Sequence, residues 1–401
     1  MRQARVRFFP TQGCPCRSRL LQKRDNPSTR RPGFFKGRGS VLNPYEFGPL
    51  QQRDRVAAIA TLKVSGCAPL SATSVLPPVF LVEGKAQDGM EIVKAAFAAV
   101  RQGFGGAIHA FRPGRLCGFV TDSPYANGMA WPIHPGEPVY GLSVTAGSLL
   151  ETVVAAYRVL SVPGLEPALP MEGTLEATME WPRSETFRIP ASQQRRDRGI
   201  RYAHCGFLAI FMHEFAHVVR GHLGYETATC GSLYMDERPL MPAAGDSKMR
   251  LYMESDADEM AGRLLATWLL RSRPDGSPMD EAKKLSITFD FLVGTTLAFS
   301  AFPRVQNAYH TGTLRAWALI GAMLQHAGVG GAMADQWIES NMREVLLCMQ
   351  AAGYPAESYL YSAAEARELM TSTWSGMRKH QRDWLQRAPF QQVKPSATRS
   401  K

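Results

Sequence analysis

The stretch FLAIFMHEFAHVVRGH, residues 207–222, constrains this 401-residue chain more than any other. Ile210, Phe211, Phe215, Ala216, Val218 and Val219 leave no polar face, so a helix made from it is buried nearly all round. Inside that apolar surface sit His213, Glu214 and His217. Burying two imidazoles and a carboxylate without partners is costly, so the fold must bring partners to them. Positions four apart on a helix lie about 40° from each other and one turn along, which turns both imidazoles to the same side with Glu214 beside them.

The pattern around this stretch divides the chain in two. Residues 55–195 are mixed: 89–103 has helical spacing, 106–121 reads as two short strands around a Pro-Gly turn, 138–145 as a strand and 148–160 as a helix packed on it. TLEATMEW and TFRIP give two weaker strands. From about residue 196 to 387 the periodicity is helical almost throughout, over 199–223, 247–271, 279–302, 313–327, 332–352 and 362–386. The expected class is α+β, with a small sheet over the His213–His217 helix and a mostly helical C-terminal half.

His213-Glu214-x-x-His217 is the spacing with which two neutral imidazoles bind one Zn²⁺ while the carboxylate takes a proton from the metal-bound water. Chance supplies such a pentad in about one chain in a hundred of this length. Two core histidines bonded to backbone are the plainer alternative. A catalytic zinc needs a third protein ligand. Gly at 220 and His at 223 would extend the motif along the same helix, but the chain has Arg220 and Leu223, with His222 one residue short. Glu226 lies near the helix end. The better candidate is Glu254, 37 residues after His217, with Asp258 one turn further on. Asp258 can then accept a hydrogen bond from the outer N–H of a ligating histidine. An ordinary acidic helix start favoured by the dipole competes with this reading, and Glu259 is a further alternative.

His213-Glu214-x-x-His217 followed by Glu254-Ser255-Asp256-Ala257-Asp258 resembles the gluzincin metallopeptidases, particularly the HtpX and CaaX-prenyl-protease group, with similar arrangements in the Lit and ImmA/IrrE-type peptidases. The resemblance implies a zincin-like fold, one zinc per chain held by His213, His217 and Glu254, Glu214 as general base, and a protein or peptide substrate. In the first group a strand running into V-T-x-G-L-L lies along the bound peptide. PVYGLSVTAGSLL is similar, which implies a substrate edge strand of Tyr140, Gly141, Leu142, Ser143 and Val144. A downstream H-P-P-x-x-x-R segment has its counterpart in Tyr309–Arg315, where the histidine is replaced by tyrosine and both prolines are missing; Tyr309 or His310 is then the candidate hydrogen-bond donor to the oxyanion. A zinc-binding regulatory or partner-binding protein with the same fold and no turnover is the alternative.

Charge sharpens the question of partners. The net charge is +11, but residues 1–55 hold 13 Lys/Arg against 3 Asp/Glu, so the rest of the chain is nearly neutral. Residues 1–54 read as a basic disordered arm and 388–401 as a frayed tail. Any polyanion binding belongs to the arm, and a nucleic-acid partner is disfavoured for the body. The apolar run 285–302 carries one charge, Asp290, near its middle. That, with its borderline length, favours a buried core helix over a membrane span. Seven cysteines without regular spacing fit free thiols in a reducing, cytoplasmic setting. No feature of the sequence specifies an oligomeric state.

Overall fold

A computed structural model describes residues 43–388 except 44, 48–50, 72, 75, 77–79, 111–115, 135–136, 182–183, 231–234, 237–246, 271–276, 303–309 and 355–360. In chain order the elements are β1 (Glu46–Phe47), α1 (Gln52–Val64), β2 (Phe80–Val82), β3 (Lys85–Gln87), α2 (Gly89–Ala110), β4 (Leu116–Thr121), β5 (Gly128–Pro132), β6 (Tyr140–Thr145) and α3 (Ala146–Leu160). There follow β7 (Thr174–Met179), β8 (Glu185–Pro190), α4 (Gln193–Arg220), α5 (His222–Cys230), β9 (Met235–Asp236), α6 (Ser247–Leu269), α7 (Glu281–Ser300), α8 (Gly312–His326), α9 (Ala332–Ala351) and α10 (Ala363–Gln386). The class is α+β.

One sheet has the order β1-β4-β6-β5-β9, the other β3-β2-β7-β8. β6 is therefore an inner strand. It pairs in parallel with β4 (Leu116↔Tyr140 to Thr121↔Thr145) and antiparallel with β5 (Gly128↔Val144 to Pro132↔Tyr140). The expectation that Tyr140–Val144 offers an edge to a peptide is thus overturned, because both rows of its backbone groups are already engaged. All six residues of β6 are buried, Ser143 and Thr145 included, as befits an inner strand covered on both faces. The strand expected just before the Pro-Gly turn at 113–114 is instead the end of α2.

The folded region starts earlier than residue 55. β1 pairs with β4 through Glu46↔Phe119 and Phe47↔Gly118, and the Glu46 carboxylate binds the Arg55 guanidinium at 2.7 Å. Residues 1–42 and 389–401 lie outside the described residues. The expected division at 195/196 falls inside the first turn of α4, and one hydrophobic cluster draws buried residues from both sides of it.

α4 is the pivot of this core. Phe211 meets Phe97 of α2 at 5.6 Å between ring centroids and Phe47 of β1 at 6.1 Å, while Phe207 lies edge-on to Phe211. On its other side α4 crosses α7 at backbone contact: a Cβ on Gly206 would stand 2.4 Å from the Gly294 carbonyl oxygen, and one on Gly294 would stand 2.2 Å from that of Tyr202. Arg195, 2% exposed, ties the start of α4 to the loop after α3 by donating to the carbonyls of Leu160, Leu165, Glu166, Leu169 and Pro170. α7 is the segment read above as a core helix. Its Asp290 is buried and forms ion pairs with Arg198, at 2.9 Å, and Arg201 of α4. No helix among the described residues is long and apolar enough to cross a membrane.

His204 of α4 gives the fold an acid sensitivity. Its Nε2 is buried without a hydrogen-bond partner, and burial lowers its pKa from 6.5 to about 4. The unfolded chain therefore binds the proton first as pH falls, so the stability tied to neutral His204 is complete above the unfolded pKa and is lost between the two values. Between about pH 7 and about pH 5, wild type should lose roughly 1–2 kcal/mol more than His204→Asn, measured by urea unfolding at both pH values.

Candidate metal centre

α4 ends where Gly221 enters the left-handed region at φ 80°, with its backbone N–H bonded to the carbonyls of His217 and Val218. No side chain fits there, since a Cβ would stand 2.1 Å from the Trp384 carbonyl oxygen of α10. The turn sends the chain into α5 and folds His222 back beside His217. The one helix expected over 199–223 is therefore two.

His213, His217 and Glu254 converge. Their potential ligand atoms all lie within 4.8 Å of one another, and all three residues are buried. The two Nε2 atoms are 3.0 Å apart; Glu254 Oε2 is 3.1 Å from that of His213, and Oε1 is 3.6 Å from that of His217. α4 supplies the imidazoles one turn apart and α6 supplies the carboxylate. Burial alone would raise the Glu254 carboxyl, but His217 and His213 hold it well below its usual range.

The outer nitrogens fix which ring atoms face this centre. His213 Nδ1 is 2.8 Å from Asp258 Oδ1, which as a carboxylate only accepts, so Nδ1 carries the proton and Nε2 keeps its lone pair. His217 Nδ1 is 2.9 Å from His222 Nδ1, and His222 Nε2 is 3.1 Å from Asp256 Oδ2. Asp256 again only accepts, so His222 donates from Nε2, accepts at Nδ1, and leaves His217 as donor there. Both Nε2 atoms therefore face the same space, with Arg315 Nη2 standing 3.2 Å from that of His213. Burial lowers the His222 pKa to about 4 against the pull of Asp256, which keeps the ring neutral as this chain of bonds requires. Burial would raise Asp256, but His222 and Arg220 bring it down to about 2, and Gln381 of α10 donates to its other oxygen at 2.9 Å.

Asp258 stands where the sequence placed it, behind a ligating histidine. His222 and Asp256 were missed, although the motif spacing held a signal: a histidine five residues after His217, just past a glycine. Arg315 appeared only as the end of the Tyr309–Arg315 segment. From the start of α8 it binds Asp258 Oδ2 through Nε at 3.0 Å, and its Nη2 reaches within 3.6 Å of Glu254 Oε2. Its guanidinium lies 4.3 Å over the Phe299 ring. The His310 Nε2 bonds Thr373 Oγ1 of α10 at 3.1 Å. Tyr309 lies outside the described residues.

Glu214 lies against β5. A Cβ added to Gly128 would stand 2.3 Å from Glu214 Oε1, so only glycine leaves room for the carboxylate at this position. Among the described residues Glu214, Glu254, Asp258 and Arg315 are each 4% exposed or less, so three carboxylates and one guanidinium share this interior. A divalent cation held by His213, His217 and Glu254 would offset carboxylate charge that is expensive to bury.

No family model, curated protein or solved structure matches the chain. What the site can do follows from its own geometry: two imidazole lone pairs and a carboxylate oxygen can hold a metal ion, with a second carboxylate beside it. His222→Phe should remove the acceptor of His217 Nδ1–H without touching a ligand atom, and weaken metal retention by about 10- to 100-fold in competition with a chelator.

Proposed function

We propose that this chain is a zinc-dependent metallopeptidase with a zincin-like fold, of the gluzincin kind, binding one Zn²⁺ through His213, His217 and Glu254. The observation that carries the reading is the pairing of a His₂Glu donor set, lone pairs inward, with an independent carboxylate on the same helix. The separations of 3.0 to 3.6 Å between ligand atoms bracket the tetrahedral edge of about 3.3 Å given by bonds of about 2.0–2.1 Å. When bound, zinc supplies a polarised water and a Lewis acid for the scissile carbonyl.

The chain's own residues do the rest. Glu214 takes a proton from the attacking water and returns it to the leaving nitrogen as the C–N bond breaks. Gly128 leaves the space in which that carboxylate sits. Asp258 and His222 fix the ring positions of the two histidines, and Arg315 balances part of the carboxylate charge. With β6 enclosed, an extended peptide is better accommodated beside β5, whose outer neighbour β9 pairs, among the described residues, with Met129 and Ala130.

The depth of burial favours one other reading, a structural metal in a regulatory or partner-binding protein. Purified protein should hold about one zinc, and Glu214→Gln should keep it while lowering peptide cleavage by about 10²- to 10⁴-fold. Cleavage unchanged in that variant, or protein that takes up no zinc, sinks the peptidase reading. Gly128→Ala separates positioning from metal binding. Its new methyl group must displace the Glu214 carboxylate, so zinc content should stay at the wild-type level while the cleavage rate drops by about 10- to 100-fold.

A further inference from the structure

A further acidic group has no hydrogen-bond or ion-pair partner among the described residues. Glu151 of α3 lines a cleft of about 390 Å³ between α3, the end of α7 and the Tyr354 region. Most of the other walls are apolar: Val154, Met179, Leu297, Met349 and Tyr354. Among the described residues Glu151 makes no hydrogen bond or ion pair, and burial pushes its carboxyl up to about 7. The one nearby cation on its own helix, Arg158, is already committed. It forms an ion pair with Glu185 and lies 5.2 Å over the Phe187 ring and 5.7 Å over that of Tyr354. Arg158 and Glu185 also line the cleft as a pair, so the acid in its lining that no described residue pairs is Glu151.

Two walls are continuous with the catalytic groups. Tyr125, 52% exposed at the cleft, precedes Gly128 by three residues, and its carbonyl accepts from Thr145 Oγ1 at 2.7 Å, which holds this loop on the first turn of α3. Ser300 and Ala301 follow directly on Phe299, whose ring lies 6.3 Å from that of His213. These two links would bring a side chain of a peptide bound at the metal centre toward a cleft with largely apolar sides, Glu151 in its lining and the Arg158–Glu185 pair at its wall. Lysine and arginine fit that chemistry, since each has an apolar stem and a cationic end.

We propose that this cleft is the pocket that selects a basic residue of the substrate, with Glu151 as the specificity-determining carboxylate that receives its charge. The proposal rests on the peptidase reading, and binding separates the two. Short alanine-based peptides carrying one lysine, and their norleucine counterparts, are titrated against full-length zinc-loaded Glu214→Gln, which binds without turnover. The lysine peptide should bind about tenfold or more tightly than the norleucine peptide, and adding Glu151→Gln should erase the difference. In the otherwise wild-type enzyme, Glu151→Gln should lower kcat/KM about tenfold for the lysine peptide and leave the norleucine peptide unchanged. Equal binding of the two peptides, or a lysine preference that survives Glu151→Gln, overturns the pocket. Cleavage without basic preference rejects the pocket and keeps the peptidase. Basic preference in binding with no cleavage by wild type keeps the pocket and rejects hydrolysis.

Discussion

Buried charge governs this molecule. Among the described residues three carboxylates and one guanidinium are held out of water around two imidazoles whose Nε2 atoms stand 3.0 Å apart. Each surrounding element answers part of that problem. α6 brings Glu254 and Asp258 together, α8 brings Arg315 to both, and α5 turns back at Gly221 so that His222 can occupy the far side of His217. The close crossing of α4 and α7 at Gly206 and Gly294 belongs to the same design, because it brings Phe299 against His213. His213, His217 and Glu254 could hold a metal ion at the middle of this set.

The part of this arrangement that follows a helical period was legible in the sequence. His213, Glu214 and His217 share one short segment, and Glu254 and Asp258 repeat at one turn, so spacing alone brought them to common faces. The helices of the C-terminal half were legible for the same reason. Relations that depend on how distant elements meet were not. Tyr140–Val144 has the alternation and β-branched content of any strand, and only the pairing with β4 and β5 decides that it lies inside the sheet. The role of His222 depends on a left-handed glycine and on Asp256, 34 residues further on. Gly128 is informative only beside Glu214.

The acids of this chain fall into groups with different relations to their surroundings. Asp256 is saturated by His222, Arg220 and Gln381, and Asp290 faces two arginines of α4. Such groups hold helices in register. Glu151 is the contrast, a half-buried group in a largely apolar cleft that no described residue pairs, which is why a substrate charge is proposed to meet it.

The brace on His217 also has a date in the life of the chain. His213, His217, Glu254 and His222 all lie before residue 255, yet Gln381, which binds Asp256, and Trp384, which packs on the His222 ring at 4.7 Å, belong to α10. The brace is therefore complete only once α10 has been made and packed, and a product that stops short of α10 carries the two histidines and Glu254 without the frame that holds them.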